Sequence, residues 1–148
     1  MNTSELAKAM HMAPDFYGVV PCCEIEQYKK HKVVGLIVNT DPHNKPGQHW
    51  IALYKKGNTL NFFDSFGREM KEFAEPFASI MEDFASGCKV KSNKRQYQNV
   101  LSDTCGLWTL YYILSKLCGE ELDFSHDTDL EIELARRLKE IYEMINNL

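Results

Sequence analysis

The stretch HWIALYKKGNTLNFFD, from His49 to Asp64, decides the fold of this 148-residue chain. Two apolar runs flank the sequence Lys56-Gly57-Asn58, which has the composition of a tight turn. The pattern predicts a β-hairpin with strands over 49–55 and 59–63. In an antiparallel hairpin, the start of the first strand lies beside the end of the second. We therefore expect Asp64 to come within reach of His49.

The second strong signal is the apolar run from Cys105 to Leu117. It predicts a buried central helix that begins at the cysteine and is ended by Gly119. A Thr-Asp-Leu-Glu sequence over 128–131 is a capping box, and it opens a last amphipathic helix. That helix carries apolar residues at helical spacing, namely Leu130, Leu134, Leu138, Ile141 and Ile145.

Weaker patterns fill the rest of the chain. Strands are predicted over 32–40 and 89–98, with loops around Pro14 and Gly18 and over 41–47. A short N-terminal helix capped by Thr3-Ser4 would carry Leu6, Ala9 and Met10. Residues 68–85 have a helical pattern that Pro76 interrupts, so we expect a kink or two helices there. The expected fold class is α+β: a mixed or antiparallel sheet packed on the central helix, as one domain over 1–148.

Composition narrows the classes of function. The formal net charge is −4, which does not fit a chain-wide nucleic-acid footprint. The basic cluster formed by Lys89, Lys91, Lys94 and Arg95 is more typical of a solvated edge strand. Neither a signal peptide nor a membrane-spanning run is recognisable, so we expect a soluble intracellular protein.

The five cysteines make a poor disulfide framework, because their number is odd and two are adjacent. We therefore expect mostly reduced thiols. Metal binding is not expected either, because the residues that could serve as ligands lack CxxC or HxxxH spacing. These residues are Cys22, Cys23, His31, His43 and Cys88.

Four residues together have the chemistry of a cysteine protease. Cys105 at a helix start would be a thiolate nucleophile, since a helix N-terminus and a nearby imidazolium both favour the anion. His49 would be the base and Asp64 its orienting carboxylate. Gln98, seven residues before the cysteine, would stabilise the oxyanion with the Cys105 backbone N–H. Gly106 would let a substrate backbone approach closely.

Each residue also has an ordinary structural interpretation. Taken alone, Cys105 is more typical of a small core residue, and a single histidine on a strand is as often structural. The Asp-Ser-Phe-Gly sequence that begins at Asp64 reads as a turn. A non-catalytic binding module therefore stays open, and only the ordered set of four favours an enzyme.

At these residues the chain resembles the adenovirus endopeptidase (adenain) family. The matching pieces are Gly-Leu-Ile-Val-Asn-Thr over 35–40, Gly-Gln-His-Trp over 47–50, Leu-Asn-Phe-Phe-Asp-Ser-Phe-Gly over 60–67, and Gln98 before Cys105-Gly-Leu. Adenain has Glu where this chain has Asp64. SUMO and other ubiquitin-like proteases share the His-Trp, Asp, Gln, Cys order, with the Gln usually one residue nearer the Cys. The short form also resembles proteases of the Maverick/Polinton and adintovirus groups.

The resemblance implies a papain-like fold in the permuted order His-Asp-Gln-Cys. It also implies an endopeptidase that cleaves viral structural or precursor proteins at Gly-containing sites, with Trp50 narrowing the substrate channel. The alternative for Trp50 is a half-buried strand aromatic. The alternative function is a deconjugase for SUMO-like or ubiquitin-like proteins. Either enzyme would act on protein substrates, as a monomer, in the cytoplasm or nucleus of a host cell or in a virion.

The resemblance also raises the question of how such an enzyme would be activated. Adenain-like enzymes use DNA and a disulfide-bonded peptide as activators. The acidic charge of this chain disfavours DNA, and Cys88 lies near, but not at, the position of the peptide-bonding cysteine. A regulatory role for Cys88 and an activating peptide are therefore kept as hypotheses, and no other cofactor is expected.

Overall fold

The computed structural model describes residues 15–41, 49–98, 105–117 and 129–146, with side chains of the last helix described up to residue 140. Five strands form one sheet in the order β1-β2-β3-β4-β5. They are β1 (Phe16–Pro21), β2 (Val33–Asn39), β3 (Trp50–Lys56), β4 (Thr59–Phe63) and β5 (Lys89–Ser92). The helices are α1 (Phe77–Ala85), α2 (Cys105–Leu117) and α3 (Leu130–Asn146), and short 3-10 helices span Cys22–Tyr28 and Met70–Glu72.

The predicted hairpin is confirmed. Strands β3 and β4 pair antiparallel, with Lys56 opposite Thr59 and Ala52 opposite Phe63. Gly57 supplies the positive φ that this tight turn needs, at 60°. The register carries the chain from the end of β4 to Asp64, beside the start of β3.

The sheet is mixed rather than a simple antiparallel meander. Strands β2, β3 and β4 are antiparallel, but β1 pairs parallel with β2 and β5 pairs parallel with β4. The loop expected around Gly18 was therefore wrong, because Phe16–Pro21 is strand β1. Parallel pairing joins distant segments, and it leaves no hairpin turn in the sequence to reveal it.

Helices cover both faces of the sheet. On one face, α2 packs against β3 and β2, and α3 adds Leu134 and Leu138 to the same core. On the other face lie α1 and the first 3-10 helix, which bury Phe77, Met81 and Ile25. The inner strand β2 is buried on both sides, which explains its continuous apolar sequence. The α+β prediction and the predicted helix over Cys105–Leu117 are confirmed.

The break expected at Pro76 is confirmed, because the helical pattern over 68–85 forms a 3-10 helix, Met70–Glu72, followed by α1. Two predicted boundaries were wrong. The strand expected over 89–98 ends at Ser92. Helix α3 starts at Leu130, where the Asp129 carboxylate accepts the N–H groups of Glu131 and Ile132 and so caps it.

Several expectations fall outside the described residues: the N-terminal helix, nearly all of the loop over 41–47, Cys118, Gly119 and Thr128. Within the described ranges, no helix combines the length and apolarity needed to cross a bilayer. Strand β5 is an edge strand with exposed Lys89 and Lys91, as the basic cluster predicted.

Candidate active site

His49, Asp64 and Cys105 meet at one end of the sheet. His49 precedes β3, Asp64 follows β4, and Cys105 is the first residue of α2, which packs on β3. His49 Nε2 lies 2.5 Å from Asp64 Oδ1, and the imidazole is also hydrogen-bonded to the Cys105 side chain. The predicted contact between His49 and Asp64 is therefore confirmed.

The hydrogen bonds of His49 determine which ring nitrogen donates and which accepts. A neutral imidazole has one donor and one acceptor nitrogen. An ionised Asp64 can only accept, so Nε2–H donates to it and Nδ1 is left to take the proton of Cys105. His49 stacks on Phe66 with 5.3 Å between ring centroids, which limits rotation of the imidazole.

Asp64 is fully buried, and its carboxylate accepts four hydrogen bonds. Oδ1 accepts from His49 and, at 3.5 Å, from Nη2 of Arg68, while Oδ2 accepts from the backbone N–H and from Nε of Arg68, at 3.0 and 2.9 Å. Burial by itself raises the pKa of this carboxyl, but the bonds from His49 and Arg68 outweigh it and lower the pKa below its usual range. Asp64 is therefore held as a carboxylate.

The pKa values of His49 and Cys105 shift in opposite directions. Burial lowers the pKa of His49, yet its bonds to Asp64 and Cys105 prevail and raise it. Burial raises the pKa of Cys105, yet the bond to His49 and the N–H groups of Trp50 and Gly106 prevail and lower it. Both shifts favour a thiolate–imidazolium pair. His49 keeps 12% of its side chain exposed, so a substrate can reach it.

Gln98 lies in the segment that follows β5 and is almost completely buried. Ser65, directly after Asp64, connects it to the same turn, because the Ser65 hydroxyl donates to Gln98 Oε1 at 2.6 Å. Gln98, the predicted oxyanion donor, thus lies in a segment that is hydrogen-bonded to the turn beginning at Asp64.

The remaining predicted residues are placed as follows. Trp50 is half-buried, packs against the core formed around α2, and contributes its backbone N–H to the Cys105 sulfur. Gly106 is buried at the second position of α2, and its backbone N–H also donates to the Cys105 sulfur. Cys88 is half-buried before β5, on the opposite face of the sheet, where it packs near α1.

Sequence reasoning missed four residues that support this site: Ser65, Phe66, Arg68 and Asn93. Asn93 brackets the acid, since its Oδ1 accepts the Asp64 N–H at 3.0 Å and its Nδ2 donates to the Asp64 carbonyl at 2.6 Å. Single polar residues in loops have no periodic signal. Arg68, four residues after the predicted acid, was the one that charge pairing could have suggested.

A cleft of about 270 Å³ opens beside His49. Phe73 and Phe77 form its apolar part, and Arg68 and Glu72 contribute polar groups. Among the described residues, no group of three His, Cys, Asp or Glu could hold a metal ion. The four cysteines in these ranges are free thiols.

The sequence matches that of the adenovirus endoprotease family over residues 16–128. It is 29% identical over 119 residues to the "Putative thiol protease R355" of Acanthamoeba polyphaga mimivirus, covering 74% of this chain and 38% of that protein. It is 25% identical over 122 residues to the protease of bovine adenovirus 4, covering 73% of this chain and 59% of that protein. The chain spans less than two thirds of the length of either relative.

Solved structures show the same fold. The central domain of the uncharacterized Lpg1148 protein from Legionella pneumophila superposes with a TM-score of 0.58, at 14% identity, over 97% of this chain and 98% of that chain. The SUMO protease Ulp1, with its catalytic cysteine oxidized to a sulfinic acid, superposes with a TM-score of 0.56, at 13% identity, over 90% of this chain and 74% of that chain. Since the family match covers most of its length, the chain belongs to the adenovirus endoprotease family.

Proposed function

We propose that this chain is a cysteine endopeptidase that cleaves viral structural or precursor proteins at Gly-containing sites. One observation carries the proposal: a buried carboxylate holds His49 by one ring nitrogen while the imidazole also bonds Cys105, whose pKa is lowered. A core cysteine needs neither the oriented base nor the lowered pKa.

The mechanism follows from these contacts. The Cys105 thiolate attacks the scissile carbonyl carbon, and the carbonyl oxygen becomes an oxyanion. The Cys105 backbone N–H and the Gln98 amide would stabilise that oxyanion. His49 then gives its proton to the leaving amine, and the acyl-enzyme forms.

In the second half of the reaction, His49 takes a proton from water, which attacks the acyl carbon and releases the thiolate. Asp64 holds the imidazole in the required orientation through both halves. The cleft beside His49 lies on the side of the base, where the leaving-group part of a substrate would run.

The test is cleavage by the purified chain of two substrate sets. One set consists of fluorogenic peptides containing Gly-Gly or Gly-X, and the other of folded ubiquitin-like modifiers with a reporter on their C-terminal Gly-Gly. We expect the wild type to cleave the peptides and Cys105→Ala to lose turnover while remaining folded. Cys23→Ala, which removes an exposed cysteine away from the site, should retain turnover.

Three results would contradict the proposal. Cleavage by Cys105→Ala would exclude the nucleophile. Cleavage of folded modifiers with no action on peptides would establish the deconjugase instead. No cleavage of either set, also after addition of DNA or of peptides from the substrate proteins, would favour a binding module. The proposal further expects the chain to act as a monomer, with proteins as its substrates.

A further inference from the structure

Ser65 connects the acid turn to the segment that carries Gln98. Its backbone carbonyl accepts two hydrogen bonds, from the N–H of Tyr97 at 2.8 Å and from the N–H of Gln98 at 2.9 Å. Ser65 is fully buried, so water does not compete for these bonds. The backbone at Gln98 is thereby fixed relative to the residue next to Asp64.

The Ser65 side chain adds a second constraint, on the orientation of the Gln98 amide. The hydroxyl donates to Gln98 Oε1 at 2.6 Å. A hydroxyl that donates selects the oxygen end of an amide, which places the NH₂ group on the opposite side. Only the NH₂ end can donate to an oxyanion, and a flipped amide would present its oxygen to the negative charge.

Close backbone packing reinforces the link. Gly67 ends the turn with a φ of 78°, and a Cβ placed there would lie 3.1 Å from backbone atoms of Arg95 and Gln96. Asn93 bonds both the Asp64 and the Arg95 carbonyls, at 2.6 and 3.1 Å. The turn over 64–67 and the segment over 95–98 therefore form one packed unit.

We infer that Ser65 is a positioning residue for the oxyanion step: its hydroxyl holds the Gln98 amide with the NH₂ group available to the developing anion. This inference rests on the proposed function and deepens it. Because Ser65 directly follows Asp64, a single turn positions the carboxylate that orients the base and the amide that stabilises the oxyanion.

The test compares Ser65→Ala with the wild type in three assays. Complete loss of an oxyanion donor costs about 10²–10³-fold in turnover, so we expect a misoriented Gln98 to lower kcat by about 10-fold with little change in KM. Affinity for a peptide aldehyde, whose adduct with the thiol places an oxyanion in the same position, should fall in parallel. The alkylation rate of Cys105 by iodoacetamide should not change, because that displacement forms no oxyanion.

Two further variants separate positioning from general support of the fold. Ser115→Ala removes a hydroxyl that is buried to a similar degree on α2, and it should leave all three assays unchanged. In a Gln98→Ala background, Ser65→Ala should have no further effect on turnover, because the group it positions is gone. The inference would be overturned if Ser65→Ala lowered turnover further in the Gln98→Ala background. It would also be overturned if Ser65→Ala lowered the alkylation rate together with turnover, or left turnover unchanged.

A readout independent of turnover keeps the two proposals distinguishable. The side-chain NH₂ signals of Gln98 in ¹H–¹⁵N spectra should shift in Ser65→Ala and stay in place in Ser115→Ala. An inactive wild type would refute the proposed function, while unmoved Gln98 signals would refute the role of Ser65.

Discussion

At the scale of single residues, the site is a chain of charge-assisted hydrogen bonds from Arg68 to Asp64 to His49. Each charge stabilises the next, which is how a fully buried carboxylate keeps a lowered pKa. The same chain ends at Cys105, where the imidazole and two backbone N–H groups overcome the cost of burying a thiolate. The reactivity of the thiol therefore depends on residues that do not contact it.

The pH dependence of cleavage follows from this pair. The active form needs Cys105 as thiolate and His49 as imidazolium, so kcat/KM should be bell-shaped. The acid limb should lie below the usual thiol pKa of about 8.5, and the basic limb above the usual imidazole pKa of about 6.5. The measurement is kcat/KM on a Gly-Gly peptide between about pH 4 and 10. Limbs at the ordinary values would show that the two groups do not interact.

Replacing Asp64 by Asn keeps the shape and removes the charge. Because Asn would present the wrong partner to either His49 or Arg68, we expect kcat/KM to fall by about 10³–10⁴-fold. The lowered pKa of Asp64 also gives stability that is present above its unfolded pKa of about 4 and lost as pH falls through the folded value.

Urea unfolding between about pH 5.5 and 3 checks the second expectation for Asp64. The free energy of unfolding of the wild type should decline relative to Asp64→Asn as the pH falls. A constant difference between the two proteins would mean that the carboxylate contributes no folded-state charge interaction.

At the scale of elements, the hairpin and the buried helix were predictable because local patterns encode them. The turn at Gly57 sets the register that delivers Asp64 to His49, and an unbroken apolar run marks α2. The contributions of Ser65 and Asn93 were not predictable. They depend on a loop contact across about 30 positions of sequence, and a single serine or asparagine in a loop carries no periodic signal.

Because the turn over 64–67 packs against the segment over 95–98, we expect alanine substitutions at two glycines to destabilise the protein to different degrees. Gly67 and Gly87 both have a positive φ, at 78° and 84°, but only Gly67 lies against backbone, since a Cβ at Gly87 would meet nothing within 4 Å. Gly87→Ala should therefore cost only the strain, about 1 kcal/mol. Gly67→Ala should destabilise the protein further and also lower kcat, because it pushes the Gln98 segment away.

Thermal unfolding and peptide cleavage by the two variants check this difference between the glycines. Equal destabilisation with unchanged kcat in both variants would contradict the account of the packed unit.

At the scale of the whole molecule, the sheet brings His49, Asp64 and Cys105 together from adjacent elements. Helix α2 packs on β3, so Cys105 at its start lies beside the residue that precedes the strand. Strand β1 and the end of β5 were not predicted from the sequence, because parallel pairing and tertiary contacts decide them. Those errors lie away from His49, whose expected contacts with Asp64 and Cys105 are present.

The distribution of charge predicts that DNA does not activate this chain. The exposed lysines of β5 sit on a protein with a formal net charge of −4, and a polyanion is repelled overall. We expect kcat/KM at low salt to be the same with and without duplex DNA, with an uncharged polymer as the control. A rise that depends on DNA and disappears at high salt would contradict this expectation.

The proposed chemistry depends on Cys105 and His49 forming a reactive pair. The most direct test is the rate of alkylation of Cys105 between about pH 4 and 9, in the wild type and in His49→Ala. We expect a wild-type rate that stays high well below the usual thiol pKa, and a variant rate that rises only as an ordinary or buried thiol ionises. Identical profiles in the two proteins, each following an unassisted thiol, would contradict it.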